Sequence, residues 1–215
     1  PYKSPTDMGV NMAGNCICDD EVCREASLQE IIRRYYAALC NMADGKNNES
    51  EVNKLKLLMR QMKLTTDYRR ATVAAREKAA KYEGSAAAIE LTDGTIITSH
   101  SSDLLGVSSA LLLNATKHLA KIPHEMRLIP QQMIEPIQHM KTSMLHGKNP
   151  RLHTDEVLVA LAVLSQTDDL CKRALDTLPM LDGAQVHATE MLSEVDRKIF
   201  RKLGCDVTMD PIRKK

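Results

Sequence analysis

Apolar residues recur at helical spacing through the first third of the chain, then at strand spacing, and the change of period divides it. Ser27-Leu28-Gln29-Glu30 reads as a capping box, predicting a helix through Ile31, Ile32, Tyr35, Leu39 and Met42. Gly45 to Ser50 breaks the pattern, and Glu51 to Met62 predicts a second helix with Leu55, Leu58, Met59 and Met62 on one face. Thr66-Asp67 opens a third, alanine-rich and charged, ending near Gly84. Two β-prone runs follow, about 86–91 and 95–99. The Asp93-Gly94 pair between them predicts a hairpin closed by a two-residue type I′ turn, which needs positive φ.

Beyond the hairpin, the loop Ser99-His100-Ser101-Ser102-Asp103 leads into an apolar helix expected over roughly 103–121. Met126 to Ile129 is a short strand candidate. Pro130 stands where a first helical turn accepts proline, predicting a helix to about Leu145, with Pro136 forcing a kink or a late start. Thr154-Asp155-Glu156 caps a helix to about Ser165, and Asp168 starts another to about Leu178. The tail is strand (Ala184 to Thr189), helix (Ser193 to Leu203, stopped by Gly204) and strand (Cys205 to Met209). Strand, helix, strand of this length implies a right-handed parallel crossover. The fold class is therefore α/β, a mixed sheet (hairpin plus parallel crossover) flanked by helices and preceded by a helical segment. The expected domains are 1–84, helical with a polar N-terminal loop, and 85–215, α/β.

Composition narrows the function classes. With 29 basic against 28 acidic residues, the chain lacks the cationic excess of a phosphate-backbone binder, and at 3% aromatic it lacks a base-stacking platform. Nucleic acid is thus not an expected partner. No apolar run reaches membrane-spanning length and no secretory pattern opens the chain, so no membrane partner is expected either. The twelve Met residues are read as filling irregular gaps in the core. The start at Pro1, in a polar stretch without periodicity, suggests a fragment whose partner half is absent. Of six Cys, three crowd into Cys16-x-Cys18-x₄-Cys23; the spacing fits no paired-CxxC framework, so reduced thiols in a cytoplasmic protein are expected and no metal.

Three polar segments carry candidate chemistry. Ser101, Ser102 and Asp103 stand where an open α/β sheet binds ligands, beside a helix start that welcomes anions; the plainer reading is that Ser102 or Asp103 caps the helix. His187, in Gln185-Val186-His187-Ala188-Thr189-Glu190, is a candidate acid or base near a strand end, or else a hydrogen-bonded sheet histidine. Lys148-Asn149-Pro150-Arg151-Leu152-His153-Thr154-Asp155 joins two cations, an imidazole and a helix start, the makings of a phosphate or carboxylate clamp, or of a solvated loop with an ordinary cap. Asp7, in the polar first stretch, completes the ligand-binding candidates.

The runs YKSPTDMGVNMAG, EIIRRYY, AAAIELTDGTI, SSDLLGVSSALLLNA, KNPRLHTDEVL and FRKLG resemble the C-terminal half of an uncharacterised bacterial family, domain of unknown function eighteen-forty-six. The resemblance runs along nearly the whole chain. It implies a cytoplasmic bacterial protein, cut or split before Pro1, whose N-terminal half carries a glycine-rich segment like a phosphate loop. It carries no established activity and no agreed catalytic residues, and the cofactor stays unknown. Two functions stay open. In the first, the chain is half of an enzyme acting on a phosphorylated or carboxylated small molecule at the junction with the N-terminal half. Arg151 and Lys148 would hold the anion, and His187 or His100 would move a proton. In the second, it is a non-catalytic metabolite-binding or oligomerisation domain, with residues 27–84 making helix–helix contacts in a homo-oligomer.

Overall fold

The structure, a computed structural model, describes residues 20–213. Two compact units divide between Arg69 and Arg70. In the first, α1 (Asp20–Ala43) and α2 (Glu49–Gln61) pack through Ile32, Tyr36, Met59 and Leu64. Helix α1 is already formed at Asp20, so Ser27 caps nothing: its hydroxyl donates to the Cys23 carbonyl (2.8 Å), one turn back within the helix. Glu30 correspondingly pairs with Arg33 and Arg34. On α2 the buried positions are Val52 and Met59, while Leu58 and Met62 of the expected apolar face are exposed.

The second unit is a four-stranded sheet in the order β2-β1-β3-β4, built from β1 (Ala86–Glu90), β2 (Ile96–His100), β3 (Gln185–Ala188) and β4 (Asp206–Met209). β1 pairs antiparallel with β2 and β3, and β3 pairs parallel with β4. This is the mixed sheet of hairpin plus crossover. Helix α3 (Arg70–Tyr82), preceded by a 3-10 turn at Thr66–Tyr68, lays Ala71 and Ala75 on Ala88. Small residues on both surfaces let backbone approach backbone. The other helices are α4 (Val107–Leu119), α5 (Gln131–His139), α6 (Thr154–Leu164), α7 (Asp169–Asp176, capped by Asp168) and α8 (Glu194–Lys202). Leu113, Leu152, Val157, Leu161, Cys171 and Ala174 form a second core among them.

Local departures from expectation have local causes. Of the Asp93-Gly94 pair only Gly94 takes positive φ (82°). Gly94 N–H donates to the Leu91 carbonyl (2.9 Å) and Leu91 N–H to Thr95 (2.9 Å), so the hairpin has a three-residue loop, a turn closed by a left-handed glycine, and not a type I′ turn. Asp93 Oδ1, by accepting Thr95 N–H (2.8 Å), holds this longer loop. Residues 126–129 are not a strand: Leu128 and Ile129 anchor the second core, and the Leu128 carbonyl accepts from Cys171 Sγ (3.1 Å). Helix α5 starts on time after Pro130 and contains Pro136, but gives way at Met140–Met144 to a π turn closed by Leu145 N–H to Met140 O (3.0 Å).

At the end of α8, Gly204 (φ 79°) is required: a Cβ there would sit 1.9 Å from Asp182 Oδ1 and 3.1 Å from its Cα. Cys23, Cys40, Cys171 and Cys205 are free thiols, and burial pushes Cys205 up to about 12; Cys16 and Cys18 lie outside the described residues. Among the described residues no helix is long and apolar enough to cross a membrane, and no cluster of ligating side chains could hold a metal.

Candidate functional site

Strands β2, β3 and β4 end on the same edge of the sheet, because β1, antiparallel to its neighbours, begins there with Ala86 opposite His100. The polar segments gather at this edge. The loop after β2 does not run directly into a helix. Leu152 N–H donates to Leu104 O (3.1 Å) and Gly106 N–H to Leu152 O (3.2 Å), a parallel bridge between the SHSSD loop and the KNPRLHTD loop. That pairing holds Leu105 and Gly106 extended, so α4 begins only at Val107. Its N-cap is Gly106, not Ser102 or Asp103. Ser109 Oγ adds a bond to Leu152 O (2.7 Å). Ser102 Oγ instead accepts Leu105 N–H (3.1 Å), Ser101 N–H donates to Ser85 O (3.0 Å), and the Asp103 carbonyl accepts from Gln138 Nε2 (2.9 Å).

A second junction ties the KNPRLHTD loop to the segment after β3. Ser193, the N-cap of α8, takes Asp196 N–H on its hydroxyl (3.1 Å) and donates that hydroxyl to Asp196 Oδ2 (2.7 Å). The buried Asp196 then reaches across to another helix start: Oδ1 accepts Thr154 N–H and Thr154 Oγ1–H (both 3.0 Å), and Oδ2 faces His153 Nδ1 (3.1 Å). Burial pushes the Asp196 carboxyl up, but bonds from His153, Ser193 and Thr154 outweigh it and hold the group below the ordinary carboxylate range. The bond to Asp196 raises His153, against a smaller desolvation in the other direction. Glu156 Oε2 takes His153 N–H (2.8 Å) and the Lys141 ammonium (2.7 Å), and Lys141 also holds the Arg151 carbonyl (2.6 Å). Asn149 Oδ1 accepts Arg151 N–H (3.1 Å), while the Lys148 side chain is exposed.

The remaining histidines of interest belong to the sheet. His187 pairs in register with Ala88 and Thr208, hence lies on the face that α3 covers, and is fully buried. Thr208 donates its hydroxyl to Val186 O (3.1 Å), which leaves a lone pair for His187 Nδ1 (2.9 Å). Nε2 faces Asp210 Oδ1 at 3.6 Å, and Arg76 of α3 grips the same carboxylate (2.8 Å). His100, exposed at the end of β2, stacks on Tyr82 with centroids 4.4 Å apart, and Lys78 lies over the other partner ring at 4.4 Å. Ser85 donates to Glu190 beside it. Asp7 lies outside the described residues. Asp196, Lys141 and Tyr82 were not singled out by sequence, although Ser193-x-x-Asp196 is itself a capping pattern.

Residues 67–215 match the family model "Domain of unknown function DUF1846, C-terminal", and residues 1–63 match the N-terminal model of the same family. The chain belongs to the DUF1846 family. The match to the N-terminal model corrects the expectation of a C-terminal half alone, and the gap between the two matches falls beside the structural division at Arg69. The chain is similar to the UPF0371 protein of Corynebacterium aurimucosum (52% identity, 99% of this chain, 43% of that protein). It is also similar to a UPF0371 protein of Streptococcus thermophilus (45% identity, 98% and 43%). It thus spans about two fifths of the length of these DUF1846 relatives.

Proposed function

We propose that residues 70–215 form the part of an enzyme that binds a phosphorylated or carboxylated small molecule at the carboxyl edge of the sheet. The rest of the full-length DUF1846 protein supplies the remaining groups. One observation carries this reading: the backbone bridge at Leu152 and the Asp196 carboxylate join the SHSSD loop, the KNPRLHTD loop and the segment after β3 at that edge. Open α/β sheets bind ligands outside the carboxyl ends of their strands. Arg151 and Lys148 provide the positive charge, Arg151 with a fork that fits carboxylate or phosphate.

The test is thermal unfolding of the full-length protein with millimolar inorganic phosphate, nucleotides or phosphorylated sugars. A ligand at a hundred times its dissociation constant adds about 2.7 kcal/mol and raises Tm. Arg151→Ala is expected to remove most of that rise while leaving the unliganded Tm within about a degree or two of wild type, as expected of a surface change worth under about 0.5 kcal/mol. No rise with any of these anions overturns the reading.

A second reading, assembly with another copy of this chain, is favoured by α2, which exposes Leu57, Leu58 and Met62. Leu57→Asp with Met62→Asp would then lower the sedimenting mass, and a wild type that is monomeric at micromolar concentration ends it.

A further inference from the structure

We propose that His153 is the proton acceptor of this site, with Asp196 as its positioning residue and an anionic ligand bearing a hydroxyl, or a water beside it, as the proton donor. The inference rests on the anion-binding reading above and deepens it. All seven histidines are described, and they differ in what a ligand could reach. His187 is fully buried behind α3, with Nδ1 on Thr208 and Nε2 against Asp210. His100 is exposed but packed flat on Tyr82, with no carboxylate partner. His139 meets only Ser143, at 3.2 Å.

Of these four, His153 is the one that joins a directly bonded carboxylate to an open side. Its side chain is 32% exposed, Nδ1 lies 3.1 Å from Asp196 Oδ2 and 3.5 Å from Ser193 Oγ, and Nε2 has no partner among the described residues. A carboxylate that accepts only must receive Nδ1–H, so the neutral ring carries its lone pair on Nε2. Three further bonds fix Asp196 itself: two from Thr154 and one from the Ser193 hydroxyl. Ser193 spends its hydrogen on Asp196 and lies on the Nδ1 side, so it is not a nucleophile served by Nε2. The other charges facing the ring, Lys141 and Glu156, form an ion pair with each other.

Arg151 stands two residues before His153, with the buried Leu152 between them, and both Arg151 and His153 are partly exposed. An anion on the guanidinium is placed beside the imidazole. In the step itself the O–H bond of ligand or water breaks as Nε2–H forms. The electron pair stays on oxygen, and Asp196 balances the imidazolium.

The test uses the full-length protein and two readouts. Long-range proton–nitrogen NMR, with the signal assigned through His153→Gln, is expected to show neutral His153 protonated at Nδ1. Asp196→Asn should lower its titration midpoint. At a pH above both titration midpoints, where the ring is neutral in either protein, acylation of His153 by diethyl pyrocarbonate should slow several-fold in Asp196→Asn, because the carboxylate no longer raises the nucleophilicity of Nε2. Millimolar inorganic phosphate should protect His153 from acylation in wild type but not in Arg151→Ala, a response that a merely structural histidine would lack. Protonation at Nε2, or an unchanged acylation rate in a folded Asp196→Asn, overturns the proposal. So does phosphate that raises Tm yet leaves His153 unprotected, and here the anion-binding reading survives. Phosphate that neither raises Tm nor protects overturns both.

Discussion

Replacing Asp196 with alanine is expected to destabilise the protein by about 3 kcal/mol or more, because breaking a buried charged cluster strands its partners. The carboxylate is 9% exposed and serves four donors on two helix starts. Without it, Thr154 N–H at the head of α6 and the hydroxyls of Thr154 and Ser193 lose their acceptor, and His153 loses its orientation. Denaturant unfolding at neutral pH gives the number from the midpoint at constant slope. Asp196→Asn should lose less, since its amide oxygen can still accept from Thr154. The pH signature is two-sided. His153 is raised, so its contribution is complete below its ordinary value of 6.5 and disappears as pH rises through the folded value. Asp196 is lowered, so its contribution is complete above 3.8 and disappears as pH falls through the folded value. Both limbs should be absent from Asp196→Ala. A loss below about 1 kcal/mol would mean that the helix starts are satisfied by water instead.

The junction that this variant probes was the part least legible from sequence. Elements written in local residues were readable: the alternating hairpin runs, Asp168 as a cap, and the strand-helix-strand tail stopped by Gly204, whose neighbour Asp182 leaves no room for a Cβ. Those determined by distant pairing were not. Ser102 and Asp103 carry every local mark of a cap, yet α4 starts later because Leu104 and Gly106 pair with Leu152, far along the chain. Ser27 likewise looks like a helix start, but lies within α1. His153 was a candidate only as one residue of a polar loop and Asp196 was not singled out, and only the fold makes them a pair. The same logic reverses the ranking of the histidines. His187 looked the most chemical because it sits near a strand end, whereas the register places it one row inside the sheet, under Ala71 and Ala75 of α3.

His187 belongs to a second buried cluster, and that cluster gives the other large expected effect. Asp210→Asn should cost roughly 2 kcal/mol at neutral pH, the worth of a carboxyl drawn from 3.8 to about 2. Burial alone would push Asp210 up; the bonds and charges of His187 and Arg76 more than reverse it. The contribution is complete above 3.8 and is lost as pH falls towards about 2, so the gap in unfolding free energy between wild type and Asp210→Asn should close across that window. Arg76→Met should cost less, about 1 kcal/mol, because its side chain is 43% exposed and water screens the pair. A gap equally wide at neutral and acid pH would assign the effect to packing and not to charge. A closing gap would show that the Arg76–Asp210–His187 line fastens α3 to the end of β4. It would also make His187 a fixed support of the carboxyl edge of the sheet.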